Sequence, residues 1–354
     1  MVSVFIHKII ENKPIISLLY PILGEKKNDN QLYNTSAFKY FNKPFFEVVE
    51  KIQDADFVLI PHLYQLLENS YIKEAEKISK INNKILLIYA YGDLDKKIKV
   101  KNAIVMKYSG YRHSMKSWEL FVPPNAPDAS LETPIVYRDK INKIPIIGFC
   151  GWADSKNILD KIKLFIKNLY IEIKSMLFLN QKINSEKKGI YFRKKAIKYL
   201  QSSPLVKTLF IIRKSFSMHK KTISLDPEIA RKEFLDNITS SDLILDIRGD
   251  GNASTRFYEA LSLGRIPIIL DTELILPLED IISYRDFCLF VPLSDIKNIS
   301  QRIHEYYESM STDEFIKKQK LAREMFEKYL RSDRFYSLIF SSKEEILKRA
   351  TPSI

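Results

Sequence analysis

The residues best suited to chemistry fall in one window, Arg248-Gly-Asp-Gly-Asn-Ala-Ser-Thr-Arg-Phe-Tyr-Glu-Ala-Leu-Ser-Leu-Gly-Arg-Ile-Pro-Ile-Ile-Leu270. Gly249, Gly251 and Asn252 make a loop whose backbone N–H groups are little obstructed, and helix-forming sequence follows from Ser254 to Leu263. A loop of this kind ahead of a helix N-terminus suits an anion, a phosphate above all. Ser254 and Thr255 are placed to cap that terminus or to donate to the phosphate. Arg256 and Glu259, three residues apart, share a helix face with about 4.5 Å of rise between them. The offset fits one nucleoside diphosphate, with guanidinium on pyrophosphate and carboxylate accepting from the ribose hydroxyls. The plainer alternative is an intrahelical Arg256–Glu259 pair in an ordinary helix–strand connection. Glycine usage favours the first reading: the chain has nine glycines, where average composition predicts roughly 25, and Gly249, Gly251 and Gly264 are three of them. Arg248-Gly-Asp250 has the form of an adhesion tripeptide, but it adjoins a buried-strand pattern in a chain without secretory features.

These groups need elements to hold them. Gly264 reads as a left-handed helix C-cap, and Ile266 to Leu270 as a buried strand with a proline near its start. Further strand patterns run over Val2 to Ile6, Phe57 to Ile60, Lys84 to Ala90, Ala103 to Lys107, Trp118 to Val122, Ile144 to Cys150, Leu243 to Asp246 and Leu289 to Val291. Their alternation with helical segments predicts an α/β chain with parallel sheets covered by helices. At 354 residues the chain exceeds the size at which a single core divides. The proline-rich stretch from Pro123 to Pro134 marks the linker. The division expected is an N-terminal acceptor-side domain over 1–135, a nucleotide-sugar domain over 136–310 and C-terminal helices over 311–354. The helices are interrupted near Ser309 to Asp313.

The segment from Phe234 to Val291, with its Ser-x-Arg-x-x-Glu-Ala-Leu core and Gly-x-Ile-Pro-Ile-Ile turn, resembles the C-terminal half of the exostosin-like family, glycosyltransferase family 47. Asp54-Ala-Asp-Phe-Val-Leu-Ile-Pro61, Trp118-Glu-Leu-Phe-Val-Pro-Pro124 and Ile146-Ile-Gly-Phe-Cys-Gly151 are similar to earlier strands of that family, so the resemblance covers roughly residues 50 to 300. It implies a GT-B fold, two Rossmann-like parallel-sheet domains facing a cleft. It also implies a nucleotide-sugar donor, expected to be a UDP-sugar, and inversion at the anomeric carbon.

An inverting transferase needs a base for the acceptor hydroxyl, presented from the far side of the cleft. Asp93, ending a predicted strand where the family has an Asp-containing motif, is the first candidate; His62 and His113 are alternatives. Asp93-x-Asp95 also has the spacing by which transferases of another fold hold a divalent ion on the diphosphate. Because the phosphate loop lies in the other half, a divalent metal and other cofactors are not expected. Gly148 and Gly151 bracket a predicted strand end where a loop can approach the diphosphate, or simply make a tight turn. Arg193 sits where the family has a basic helix start and can neutralise the departing diphosphate; the alternative is a solvated helix face.

The net charge of +13 is uneven: residues 156–232 hold 19 Lys and Arg against five Asp and Glu. Within this segment Leu159 to Tyr170 and Pro204 to Phe216 mix apolar and basic residues at near-helical spacing. Such helices can rest on an anionic membrane, or turn an apolar stripe to the domain core. Nucleic acid is not an expected partner, since the run lacks a reader motif. Cys150 and Cys288 lie in apolar strand patterns and predict core thiols. With no apolar run of about 18 residues and no signal-peptide pattern, the expected location is the cytoplasm, with peripheral contact at the inner membrane face. The function expected is transfer of a sugar to a hydroxyl of a glycan or lipid-linked glycan in cell-surface polysaccharide synthesis. The alternatives are a metal-dependent transferase using Asp93 and Asp95, and a non-catalytic membrane-surface or glycan-binding module on the same fold.

Overall fold

The computed structural model describes residues 1–24, 34–92, 98–155 and 157–352. Two all-parallel sheets organise them. The first takes β1 (Ser3–Ile6), β2 (Glu47–Val48), β3 (Phe57–Leu59), β4 (Ile85–Ala90), β5 (Ala103–Lys107) and β6 (Glu119–Phe121) in the order β2-β1-β3-β4-β5-β6. The second takes β7 (Ile146–Trp152), β8 (Lys207–Arg213), β9 (Leu243–Asp246), β10 (Ile266–Asp271) and β11 (Leu289–Pro292) in the order β11-β10-β9-β7-β8. The chain thus has the two-sheet α/β architecture that the alternation of strands and helices predicts. Central strands such as β3, β5 and β9 are buried at every residue, as parallel strands covered on both faces require.

Helices α1 (Tyr20–Leu23) and α2 (Asn69–Ile81) belong to the first half, and α3 (Ile158–Leu177), α4 (Gly189–Gln201), α5 (Pro227–Thr239), α6 (Thr255–Ser262) and α7 (Ile299–Glu308) to the second. The terminal helices α8 (Thr312–Met325), α9 (Ser332–Ile339) and α10 (Lys343–Arg349) follow. A capping box between Ser311 and Glu314 starts α8 where the sequence shows the interruption. The terminal helices join the first core: Tyr336 on α9 shares a 2.7 Å buried hydrogen bond with Tyr89 on β4, and the Val2 N–H donates to the Phe340 carbonyl at 3.2 Å.

Gly264 adopts φ 63° after α6, where a Cβ would also stand 2.7 Å from the Tyr137 ring, as the C-cap pattern predicts. Pro267 lies inside β10, opposite Ile244 of β9; β11 joins β10 only from Ile268 onward, so at Pro267 β10 has a partner strand on one side. The sequence pattern misread Pro204 to Phe216. The middle of that segment, Lys207–Arg213, is the edge strand β8, with exposure alternating from Lys207 to Phe210; the β-branched and aromatic run Thr208, Phe210, Ile211 and Ile212 outweighs the near-helical spacing of its basic residues. The short strand β2 gives no sequence signal.

Candidate functional site

A cavity of about 620 Å³ opens between the two sheets. Tyr91, Gly92, Tyr108, Pro124 and Asn125 line it from the first half, and the C-terminal end of β7, the β9–α6 loop and α6 line it from the second. This is the C-terminal edge of a parallel sheet, where strand ends leave backbone free to meet a ligand.

Arg256, in the first turn of α6, is buried on the cavity wall. Its Nη2 donates to the Cys150 carbonyl at 3.0 Å, and its guanidinium stands 4.5 Å from the Phe149 ring centroid. Nε and Nη1 find no hydrogen-bond acceptor; the nearest charge is Asp246, 4.0 Å from Nη1. Gly151 permits this placement, for a Cβ there would stand 2.5 Å from Nη2. The glycine loop and the β7 turn therefore meet through one guanidinium.

Arg193 reinforces it. The solvated-face reading does not hold: Arg193 is buried, with Nη1 on the Trp152 carbonyl at 2.8 Å and Nε and Nη2 on the Ile247 carbonyl at 3.0 and 2.9 Å. Burial and the neighbouring Arg256 charge push its pKa down to about 9, so it stays charged at neutral pH. Burial likewise pushes Arg256 down, opposed by Asp246, and pushes Asp246 up, opposed by Arg256. Two guanidinium ions in a low-dielectric wall are thus balanced mainly by one reluctant carboxylate. A bound polyanion would relieve the imbalance.

Glu259 lines the same cavity but does not pair with Arg256. Its Oε1 accepts from Arg231 Nη1 at 2.5 Å, and Arg231 also holds Glu132 through Nε at 2.8 Å and Nη2 at 2.7 Å. Burial pushes the Glu259 carboxyl up, with Arg231 opposing. Burial works against the Arg231 charge, but the two carboxylates outweigh it and its pKa is raised. The intrahelical pair is thereby excluded, and Glu259 is held rigid at the cavity edge.

Several expected donor-binding residues serve other ends. Ser254 does not cap α6; its Oγ donates to Asp246 at 2.5 Å, while Thr255 Oγ1 reaches Met218 Sδ at 3.6 Å. Both still line the cavity, as does Gly249, and Gly251 is buried behind them. Asn252 is consumed by the scaffold. Its N–H donates to Ser109 Oγ at 2.8 Å, its Nδ2 to the Gly110 and Thr272 carbonyls at 2.9 and 3.1 Å, and its Oδ1 accepts from Thr272 at 2.6 Å. It ties the loop to the first domain. Gly148 is a packing glycine inside β7, where a Cβ would stand 2.3 Å from Ser241 Oγ, just past the end of α5.

The histidine candidates also change roles. His62 is fully buried, with Nδ1 donating to the Pro14 carbonyl at 3.0 Å and Nε2 accepting the Ile10 N–H at 2.8 Å. Both ring nitrogens face protein backbone, so it has no lone pair for an acceptor. His113 is not on the cavity wall; it stands 3.8 Å from Glu186 and 4.0 Å from Glu273. Asp93 and Asp95 lie outside the described residues, and Gly92, immediately before Asp93, lines the cavity. Among the described residues no three His, Cys, Asp or Glu side chains gather as metal ligands.

Sequence reasoning missed Asp246, Arg213, Arg231 and His219, all on or directly behind the wall. Asp246 was visible as a carboxylate ending a buried strand just before the glycine loop. Arg213 was hidden because its strand read as a helix. A second cavity of about 500 Å³, beside α4 and β11, has no lining residue with an unpartnered buried side-chain polar atom.

A sequence model of the Exostosin GT47 domain matches residues 179–306. Over this stretch, about a third of the chain, the protein resembles exostosin-like glycosyltransferases. The matched stretch carries Arg193, Arg231, Asp246, the glycine loop, Arg256 and Glu259, hence the basic wall of the cavity. The opposite wall of the cavity, from Tyr91 to Asn125, precedes it. Among solved structures, a glycosyltransferase from Rickettsia africae ESF-5 aligns over 98% of this chain and 99% of its own at 12% identity and TM-score 0.38. TarM aligns over 73% of this chain and 55% of its own, at 12% identity and TM-score 0.32. No curated protein matches the chain.

Proposed function

We propose that the chain transfers a sugar, with inversion, from a nucleoside diphosphate donor seated in the cavity to a hydroxyl of a glycan or lipid-linked glycan. One observation carries this reading: the buried Arg256 guanidinium, with Nε and Nη1 unpartnered, set over Gly151 on the cavity wall. Leaving such donors unmatched costs about 1–3 kcal/mol each, and a diphosphate oxygen would satisfy them. Arg193 adds a second positive charge, and Glu259, fixed by Arg231, is the acceptor for ribose hydroxyls. Uridine as the base follows from the family resemblance.

In the reaction the acceptor oxygen forms a bond to the anomeric carbon as the carbon–phosphate oxygen bond breaks. The nucleoside diphosphate departs with the bonding electron pair, and its charge falls on Arg256 and Arg193 rather than on a required metal ion. A base takes the hydroxyl proton. Asp93 is proposed for that role from the opposite wall because Gly92, immediately before it in sequence, lines the cavity; His219, which lines the cavity from the second half, is the rival base.

A thermal-shift screen of nucleoside diphosphates tests the donor, because a ligand at 100 times its dissociation constant adds about 2.7 kcal/mol. UDP should stabilise the wild type and not a folded Arg256→Ala variant. Equal stabilisation of both would refute the site. Asp93→Asn with intact nucleotide binding but no turnover supports the base, whereas loss of turnover in His219→Ala alone transfers the role.

A further inference from the structure

Helix α3 is turned inside out relative to an ordinary surface helix. The residues it directs at the protein are Asp160, Leu164, Asn168, Ile171 and Ser175, at intervals of three or four, with the last three buried. Its opposite face presents Ile158, Ile162, Phe165, Leu169, Ile173 and Met176 to solvent. At 100° per residue these six fall within about 80° of arc, and with the equally exposed Leu159, Ile166, Tyr170 and Leu177 the apolar arc widens to about 140°, centred roughly opposite the packed stripe. Phe165 is 66% exposed, and the run continues past the helix into Phe178 and Leu179, the latter 93% exposed. Of the two readings of this segment, the one that turns its apolar stripe to the domain core does not describe α3. A surface helix of a self-contained domain packs its apolar side inward; this one packs a mixed stripe and leaves most of its apolar residues in solvent.

The flank settles what covers the stripe. Lys163, Lys167 and Lys174 line one border of it within about 40° of arc, and they belong to the segment 156–232 with its excess of 14 positive charges. A second copy of this chain, seated face to face, would bring lysines against the same basic segment. An anionic bilayer accepts both features, the stripe entering the acyl boundary and the lysines meeting lipid phosphates. Six charged residues within α3, Asp160 and Glu172 with four lysines, keep it from crossing, and no helix among the described residues is long and apolar enough to span a membrane.

We infer that α3 is an interfacial anchor that lays the second domain on an anionic lipid surface, independently of which sugar or acceptor the cavity takes. The apolar stripe supplies depth and the lysine border selects for anionic headgroups.

The test is co-sedimentation of the full chain with phosphatidylcholine vesicles, with and without phosphatidylglycerol. Sedimentation is expected with the anionic vesicles and should weaken as salt is raised. Phe165→Glu/Leu169→Glu should abolish it, and Lys163→Glu/Lys167→Glu/Lys174→Glu should weaken it by at least about tenfold, both with unchanged thermal midpoints because neither set touches the core. A solvatochromic dye on Tyr170→Cys should shift to the blue on the same vesicles. The inference is overturned if anionic vesicles leave the protein in the supernatant. It also falls if Phe165→Glu/Leu169→Glu unfolds the chain, which would show the stripe packed inside. A solution dimer that this variant dissociates, with no vesicle binding by the wild type, would assign the stripe to a second copy instead.

Discussion

Gly151 and Arg256 occupy one space: the position a Cβ would take at Gly151 is 2.5 Å from the Arg256 Nη2. The guanidinium that the glycine loop contributes thus depends on a residue from a different strand, β7, having no side chain. Gly151→Ala should displace the guanidinium by about an ångström and lower kcat/KM about 10- to 100-fold, with loss of the nucleotide-induced thermal shift. A variant that binds nucleotide as the wild type does would show that this contact does not set the arginine. Circular dichroism at the working temperature checks that the protein is folded.

Arg231 holds two carboxylates, one nearly unexposed. Arg231→Met should cost about 3–5 kcal/mol in urea unfolding, since it leaves Glu259 buried and unpaired. Arg231→Met/Glu259→Met should recover part of that loss. Glu259→Gln keeps a partner for Arg231 and should be milder for stability, yet weaken nucleotide binding. A Glu259→Gln protein with wild-type nucleotide affinity would remove Glu259 from the donor site.

His62 behaves as scaffold. His62→Phe deletes an acceptor for the Ile10 N–H and a donor to the Pro14 carbonyl, a loss of about 2–4 kcal/mol. The pH profile of turnover should be unchanged in whatever fraction remains folded. A stable His62→Phe protein with kcat reduced a thousandfold would restore it as a base.

His7 should give the fold an acid-sensitive arm. Its ring is buried against Tyr71 at 4.9 Å between centroids, with Nε2 unpartnered. Burial lowers its pKa below 6.5, with Glu74 opposing and Lys8 assisting. The unfolded chain therefore binds the proton more readily than the folded one, so the His7 contribution is complete above about pH 6.5 and is lost as pH falls through the folded pKa. His7→Phe should flatten stability between pH 7 and 5 relative to wild type, as read by urea midpoints. Parallel curves for the two proteins would rule the contribution out.

Much of this molecule is determined locally. The nine strand patterns, the Gly264 cap and the break at Ser311 are short-range consequences of side-chain alternation, positive φ and capping, and each is found where the sequence indicates. The glycine-poor composition likewise singles out the window around Gly249 and Gly251 without any tertiary information. What the sequence could not decide were competitions between distant groups. Arg256 and Glu259 are neighbours on one helix, yet each finds its partner elsewhere, Arg256 at Cys150 and Asp246, Glu259 at Arg231. Asn252 and His62 have the chemistry of a site and are spent on backbone groups far away in sequence. Helix α3 carries an amphipathic pattern that periodicity reveals fully, but periodicity is silent on which face meets the protein. That sign is set by the shape and polarity of the surface it lands on, and only the tertiary structure contains it.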